Sequence, residues 1–205
     1  MAKEFIPKPL KITADIEGLS LKALTEHFKL YEGYVKKTNE IRGKMETADK
    51  TTPNATYSEI GELKRQETFA VNGMKLHEVY FGGLGGNPSP DGGIRAGGNP
   101  EGKVVEMIKR DFGSIESWMA DMTAAGLSSR GWVITAYDLD EKVLRNYSAD
   151  AHNLGTVYGC IPVVALDVYE HAYFMDHGTN RKAYIEAFFK NLDWGAIDGM
   201  AEGKI

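Results

Sequence analysis

Five histidines in 205 residues are few enough to place one by one. His27 falls three residues after Leu24 and four before Tyr31, so it borders an apolar stripe of helical period. His77 lies four after Gly73 and seven after Ala70, on a second such stripe. Asp167 and His171 are four apart where a strand-like run passes into a helical one, which puts them on one side once the helix has begun. Taken singly, a buried histidine is more often a core imidazole bonded to a carbonyl, and an aspartate–histidine pair a local hydrogen bond. Taken together, three imidazoles and one carboxylate make a donor set suited to iron, manganese or zinc. Two histidines and one carboxylate with open positions would suit a non-haem iron oxygenase, and a third imidazole argues against that.

These groups need elements that pack together. Leu21, Leu24, Phe28, Tyr31 and Val35 predict a helix over 19–44, with Ser20 as its N-cap. A polar loop with Pro53 over 45–58 leads to a second helix over 58–81, whose inner stripe is Phe69, Gly73, His77, Tyr80 and Leu84. The pair reads as a helical hairpin. Nine glycines and three prolines among the 21 positions of 82–102 mark a linker. A phosphate cradle would need a Gly-Lys-Ser/Thr or GxGxxG context that is not there. The boundary is therefore set at 86/87: residues 1–86 are a helical hairpin domain and 87–205 a second domain.

In that second part, helices are predicted over 100–112 and 114–126, the latter capped by Ser114. Trp132–Tyr137, Lys142–Tyr147 and Gly159–Asp167 read as strands, with Pro162 pointing to an edge or an irregular start. Helices resume near Tyr169 and over Arg181–Leu192. The fold class is α+β, a helical hairpin domain followed by an α/β domain with a three-stranded antiparallel sheet.

Composition excludes several classes of function. The 42% apolar and 26% charged residues describe a globular chain, and no 18-residue uncharged apolar run is present. The first residues lack an apolar core of signal-peptide length, and the single Cys160 cannot close an internal disulfide, so the cytoplasm is the expected compartment. Cys160 sits in an apolar strand and reads as buried rather than reactive. A net charge of −5 argues against a nucleic-acid partner. Met107, Trp118, Met119 and Met122 fit a helical core, and His177 is placed near a helix end, where its dipole interaction is favourable.

The segment Asp167-Val-Tyr-Glu-His171-Ala-Tyr173 resembles the D-x-W-E-H-A-Y signature of the iron/manganese superoxide dismutases. Arg181, Tyr184, Phe188 and Trp194 resemble its downstream segment. Gly18-Leu-Ser before His27, His77-Glu-Val-Tyr-Phe81 and Gly131-Trp132 resemble its upstream ones, so the likeness spans about 16–194. It implies His27, His77, Asp167 and His171, plus a solvent molecule, as ligands of one iron or manganese ion per subunit. It implies superoxide as substrate and an ion cycling between +3 and +2, which zinc cannot do. It also implies Tyr34 and His152 as proton-bearing catalytic groups and Trp132 beside them. Gly73, a mid-helix glycine costing about 1 kcal/mol against alanine, would make room for His152. Glu170 would orient His171 across a twofold interface, giving a homodimer or a tetramer. Arg181 would be either a steering cation or a structural ion pair.

Some residues depart from that pattern. Tyr169 stands for a tryptophan, Phe81 for another, and Leu30 for the family's gateway histidine, which bears on its link to Tyr173 across the dimer. Counted back from Tyr34 without a gap, Glu26 rather than His27 would align with the first ligand; Gly18-Leu-Ser sets the register on His27. These departures raise an alternative: a metal-binding relative with little dismutase activity, acting as a binding or regulatory module.

Overall fold

The computed structural model describes residues 4–85 and 99–205. The expected boundary at 86/87 and the middle of the Gly- and Pro-rich stretch lie outside the described residues. Helices α1 (Leu21–Thr47) and α2 (Glu59–Gly82) pack against one another as an antiparallel hairpin. Ser20 accepts the Ala23 amide and Ser58 the Gly61 amide, so each N-terminus gives an orphan donor a partner. α1 runs three residues beyond the expected Lys44, because the Ala48 amide still bonds back to the Lys44 carbonyl. α2 stops at Gly82, so Leu84 is not on its stripe. Leu84 instead bridges backbone to backbone with Leu192.

Helices α3 (Lys103–Phe112) and α4 (Ile115–Ser128) follow, then strands β1 (Trp132–Asp138), β2 (Leu144–Ala149) and β3 (Cys160–Asp167). The antiparallel sheet has the order β2-β1-β3. β3 is thus an edge, and its register slips by one between Thr135 and Ala136, where Ala136 faces the exposed Pro162. A proline has no amide for the ladder and is tolerated at such an irregularity. Cys160, expected to be buried, opens β3 half-exposed at the edge of the sheet, opposite Asp138 at the end of β1. The helix expected from Tyr169 is broken: a 3₁₀ turn at Glu170–Ala172 is followed by the single-turn α5 (Phe174–His177). α6 (Arg181–Lys190) and α7 (Trp194–Ala201) complete the chain. Among the described residues, no helix is long and apolar enough to cross a membrane.

The sheet lies between α2 on one side and α4 on the other. That sandwich buries Trp118, Trp132, Val133, Leu166 and Ile185 almost completely. One continuous apolar cluster extends from the hairpin through the sheet to α6 and α7. The hairpin's inner face and the C-terminal end of β3 therefore meet in dry protein, and this is where α1, α2 and the turn after β3 converge.

The end of the chain is part of this frame. Asp198 on α7 accepts the Lys103 and Val104 amides at 2.8 Å each, capping α3, which has no side-chain cap of its own. Asp198→Ala is expected to lower stability by about 1 kcal/mol, the usual worth of a carboxylate N-cap. A urea titration measures this, and bound metal content is expected to stay unchanged.

Candidate metal centre

His27 comes from the inner face of α1, His77 from α2, Asp167 from the last position of β3 and His171 from the 3₁₀ turn. One donor atom from each lies within 4.8 Å of every other. The three imidazole Nε2 atoms stand 3.1 Å (His27), 3.3 Å (His171) and 3.6 Å (His77) from a single oxygen, Asp167 Oδ2. His27, His77 and Asp167 are buried, and His171 is partly open. All four residues that sequence reasoning singled out for metal are brought together, and Glu26 is excluded, since it lies exposed and pairs with Lys29. Were all four to bind one ion, the oxygenase reading would lack its open positions.

The backbone around Asp167 is held from three sides. Its Oδ1 accepts the Tyr169 amide at 2.9 Å, and its carbonyl accepts the Tyr184 hydroxyl at 2.7 Å. The next residue, Val168, donates its amide to the Gly131 carbonyl at 2.8 Å. The Tyr184 hydroxyl oxygen also lies 3.2 Å from the Tyr80 hydroxyl on α2, from which it can accept, so α2, α6 and β3 are tied at one point. Burial alone would raise the Asp167 carboxyl, but the His171 and His27 nitrogens facing it overcome this and hold it well below the usual carboxylate range.

His77 decides whether these residues suit a cation. Its Nδ1 sits 2.6 Å from the Gly73 carbonyl, an atom that can only accept, so Nδ1 carries the proton. Burial pushes the ring down to about 3, so it is neutral near pH 7 and its Nε2 is a bare lone pair. That lone pair is buried without a hydrogen-bond partner and points at an ionised carboxylate. Two lone pairs facing each other in a dry site repel unless a positive ion sits between them. Iron and manganese both accept such a set of three imidazoles and one carboxylate.

Aromatic rings enclose the cluster. Tyr80 and Phe81 each lie 5.0 Å from His27 between ring centroids, Trp132 lies 5.1 Å from His77, and Tyr169 stacks on His171 at 5.2 Å. Beside His77 stand two groups able to carry protons. Tyr34, on α1, is 5.4 Å from His77, and His152 is 5.9 Å from it; their own centroids are 4.7 Å apart. His152 Nδ1 accepts the Trp132 indole N–H at 2.8 Å, which leaves the proton of the neutral ring on Nε2. Burial pushes His152 down to about 4 and Tyr34 up to about 12, the latter helped by Tyr169 and Asp167. Both side chains are thus neutral donors across the middle pH range.

Gly73 serves two neighbours. A Cβ there would come within 2.9 Å of the Tyr34 ring and 3.2 Å of His152. The room expected for His152 is needed first for Tyr34.

Arg181 does not form an ion pair with any described carboxylate. Its guanidinium donates to the carbonyls of Gly126 and Ser129 and to the Tyr173 hydroxyl, closing the C-terminal end of α4. Glu170 is exposed and does not bond to His171 within its own chain. His177 bonds the Gly18 carbonyl at 2.7 Å, while neighbouring Asp176 accepts both the amide and the hydroxyl of Ser20 at 2.8 Å. This fastening of α1 to α5 escaped sequence reading, because no periodicity links residues about 156 apart. Phe69 was visible as a stripe residue, but not its contact with His152 at 4.5 Å.

Comparison with known proteins agrees with this geometry. Residues 100–199 match the family model described as iron/manganese superoxide dismutases, C-terminal domain. The chain is 38% identical over 200 residues to a superoxide dismutase (Fe) of Aquifex aeolicus, covering 96% of this chain and 90% of that one. It is 39% identical over 193 residues to a superoxide dismutase (Fe) of Cupriavidus metallidurans, covering 91% and 88%. It is 33% identical over 192 residues to a superoxide dismutase (Mn) of Haloarcula marismortui, covering 93% and 89%.

The buried neutral imidazoles make stability depend on pH. From the ordinary histidine value of 6.5 down to about 3 for His77 and about 4 for His152, the unfolded chain binds more protons than the native one. Stability of the metal-stripped protein is therefore greatest above that window and falls as pH drops through it. The depressed Asp167 carboxyl acts in the same direction below its ordinary value of 3.8. Urea midpoints near pH 7.5 and pH 5 test this, with the lower midpoint expected at the acid pH. Gly73→Ala should gain helix propensity but push Tyr34 and His152 aside, a net loss of about 1–2 kcal/mol, the range for overpacking. Thermal melts read this, and metal content is expected to persist.

Proposed function

The chain belongs to the iron/manganese superoxide dismutase family, and from that premise we propose a division of labour among its residues. The protein is a superoxide dismutase, converting two superoxide anions and two protons to oxygen and hydrogen peroxide. We assign His27, His77, Asp167 and His171 as the ligands of one iron or manganese ion. The observation that carries this is the convergence of three imidazole nitrogens on Asp167 Oδ2, with His77 Nε2 left without any other partner. The bound ion supplies the electron chemistry, taking an electron from one superoxide and giving it to the next.

The chain's own residues supply geometry and protons. Asp167 brings a single negative charge to the donor set, so a trivalent ion leaves the centre cationic and attractive to a small anion. The aromatic rings and the burial of His27, His77 and Asp167 leave His171 as the partly open member of the set, so that charge is less screened than at the surface. Hydrogen peroxide needs two protons, and Tyr34 Oη and His152 Nε2 hold one each beside His77. The Trp132 indole fixes His152 in the tautomer that donates inward.

Iron is proposed as the physiological ion. Gly73 combined with His152 resembles family members that use iron or accept either metal, and the relatives at 38% and 39% identity carry iron in their names. A homodimer is proposed as the working form. Supporting it, Glu170 is exposed without a side-chain partner among the described residues, and Phe174, Met175 and Leu127, all about half exposed, lie next to residues of the Tyr173–Arg181 corner. Glu170 of one copy would then bond the free ring edge of His171 on the other. The cytoplasm is proposed as the compartment, in keeping with the lone Cys160. The division into a hairpin domain and an α/β domain near 86/87 is proposed from the Gly- and Pro-rich sequence pattern of 82–102.

The decisive experiment loads the purified protein with iron or manganese and measures superoxide removal. His77→Ala and Asp167→Ala should each drop bound ion, by elemental analysis, to the level of a metal-stripped control, and activity should fall with it. Full occupancy in either variant would overturn the ligand assignment. Tyr34→Phe should keep the ion and lower kcat by about tenfold, a modest share of what a proton donor contributes because His152 remains.

A further inference from the structure

Among the groups gathered around the centre, His152 alone is carried by a loop. The ligands and Tyr34 sit on helices, the end of a strand or the turn that follows it, and Trp132 lies within β1. His152 belongs to the β2–β3 connection, and only one hydrogen bond, from the Trp132 indole to Nδ1, holds its ring. The ring is buried among Tyr34, Phe69 and Tyr169, so where Nε2 points depends on how the loop seats His152 against those rings.

The loop is fastened to α2 one residue further on. Asn153 Nδ2 donates to Thr68 Oγ1 at 2.7 Å. Thr68 is a well-prepared acceptor: its own hydroxyl proton goes to the Arg65 carbonyl at 2.8 Å, which leaves an oxygen lone pair facing Asn153. Thr68 is followed by Phe69, whose ring lies 4.5 Å from His152. The contact therefore joins the residue beside His152 to the residue beside the ring it rests on. A turn of helix later, Asn72 Nδ2 reaches Thr156 Oγ1 at 3.4 Å, a weaker second fastening. Between the two, Gly155 has φ +105°, and a Cβ there would lie 2.5 Å from the Ser148 carbonyl, so the loop folds tightly back on β2. His77 and Gly73 are on the same helix as Thr68 and Asn72.

We propose that Asn153 and Thr68 form a clasp that positions His152, registering the β2–β3 loop against the helix that carries His77 and so directing His152 Nε2 toward the centre. Asn153 is a positioning residue and touches neither ion nor substrate. The proposal rests on His152 serving the centre, as assigned above.

Breaking the clasp from either side should leave the fold and the ion in place but change the centre's properties. Asn153→Ala and Thr68→Val are compared with Thr68→Ser, which keeps the acceptor, and with His152→Ala. All are prepared with iron as full-length protein. Expected for Asn153→Ala and Thr68→Val are unchanged iron content and melting temperature, kcat lowered by about tenfold, the lower end for lost outer support, and a shifted midpoint potential. Thr68→Ser should behave as the parent. If potential and kcat stay at the parent's values while His152→Ala moves both, the clasp is refuted and the role of His152 stands. If iron is lost in step with activity, the contact holds the fold and the proposal fails. If His152→Ala itself moves neither property, the assignment of His152 fails, and the clasp with it.

Discussion

A carboxylate without solvent is the constraint around which this protein is arranged. Asp167 is fully buried, and an isolated ionised carboxylate in dry protein costs far more than any single contact returns. The His27 and His171 nitrogens facing one of its oxygens and the Tyr169 amide bonded to the other offset that cost, while the His77 nitrogen, 3.6 Å away, does not. Since the His77 proton is committed to the Gly73 carbonyl, imidazole protons alone cannot satisfy all those contacts. A cation resolves the remaining conflict, so that binding the ion also completes the core.

That requirement explains the architecture. Each of α1, α2 and the end of β3 carries part of the donor set, and none can hold an ion alone. The sheet places Asp167 opposite Trp132, the hairpin places His27 against His77, and Tyr184 anchors the Asp167 backbone from α6. The latch from Asp176 and His177 to the start of α1 then fixes that helix relative to the turn bearing His171. The precision of the site comes from rigid elements docking on one another, with a core continuous across all of them.

Around this centre several residues trade local preference for space or packing. Gly73 gives up helix propensity so that Tyr34 and His152 can lie against α2. Tyr169 stacks on His171, covering the imidazole with a ring smaller than the indole it replaces. Phe81 packs on both His27 and Phe28. Leu30 is partly exposed on α1 and is not among the grouped donors.

The sequence by itself determined the class of fold and the family, and its resemblance pointed to the four grouped donors, because those depend on residue type and local period. Ser20 and Ser114 marked helix starts through their capping chemistry, and Pro162 marked the edge strand through its missing amide. The motif around Asp167 identified the centre. Other features were settled only by the tertiary structure. Leu84 looked helical by spacing but pairs with Leu192, since α2 ends two residues earlier. That Arg181 closes the end of α4 through two carbonyls, rather than pairing with a described carboxylate, came from the tertiary structure alone. The Asn153–Thr68 and Asp176–Ser20 contacts have no signature in local pattern at all. The physical reason is common to these cases: period and propensity describe what a segment does with its neighbours in sequence, whereas the partner of a polar side chain is chosen when distant segments pack and each buried or half-buried group must find a complement.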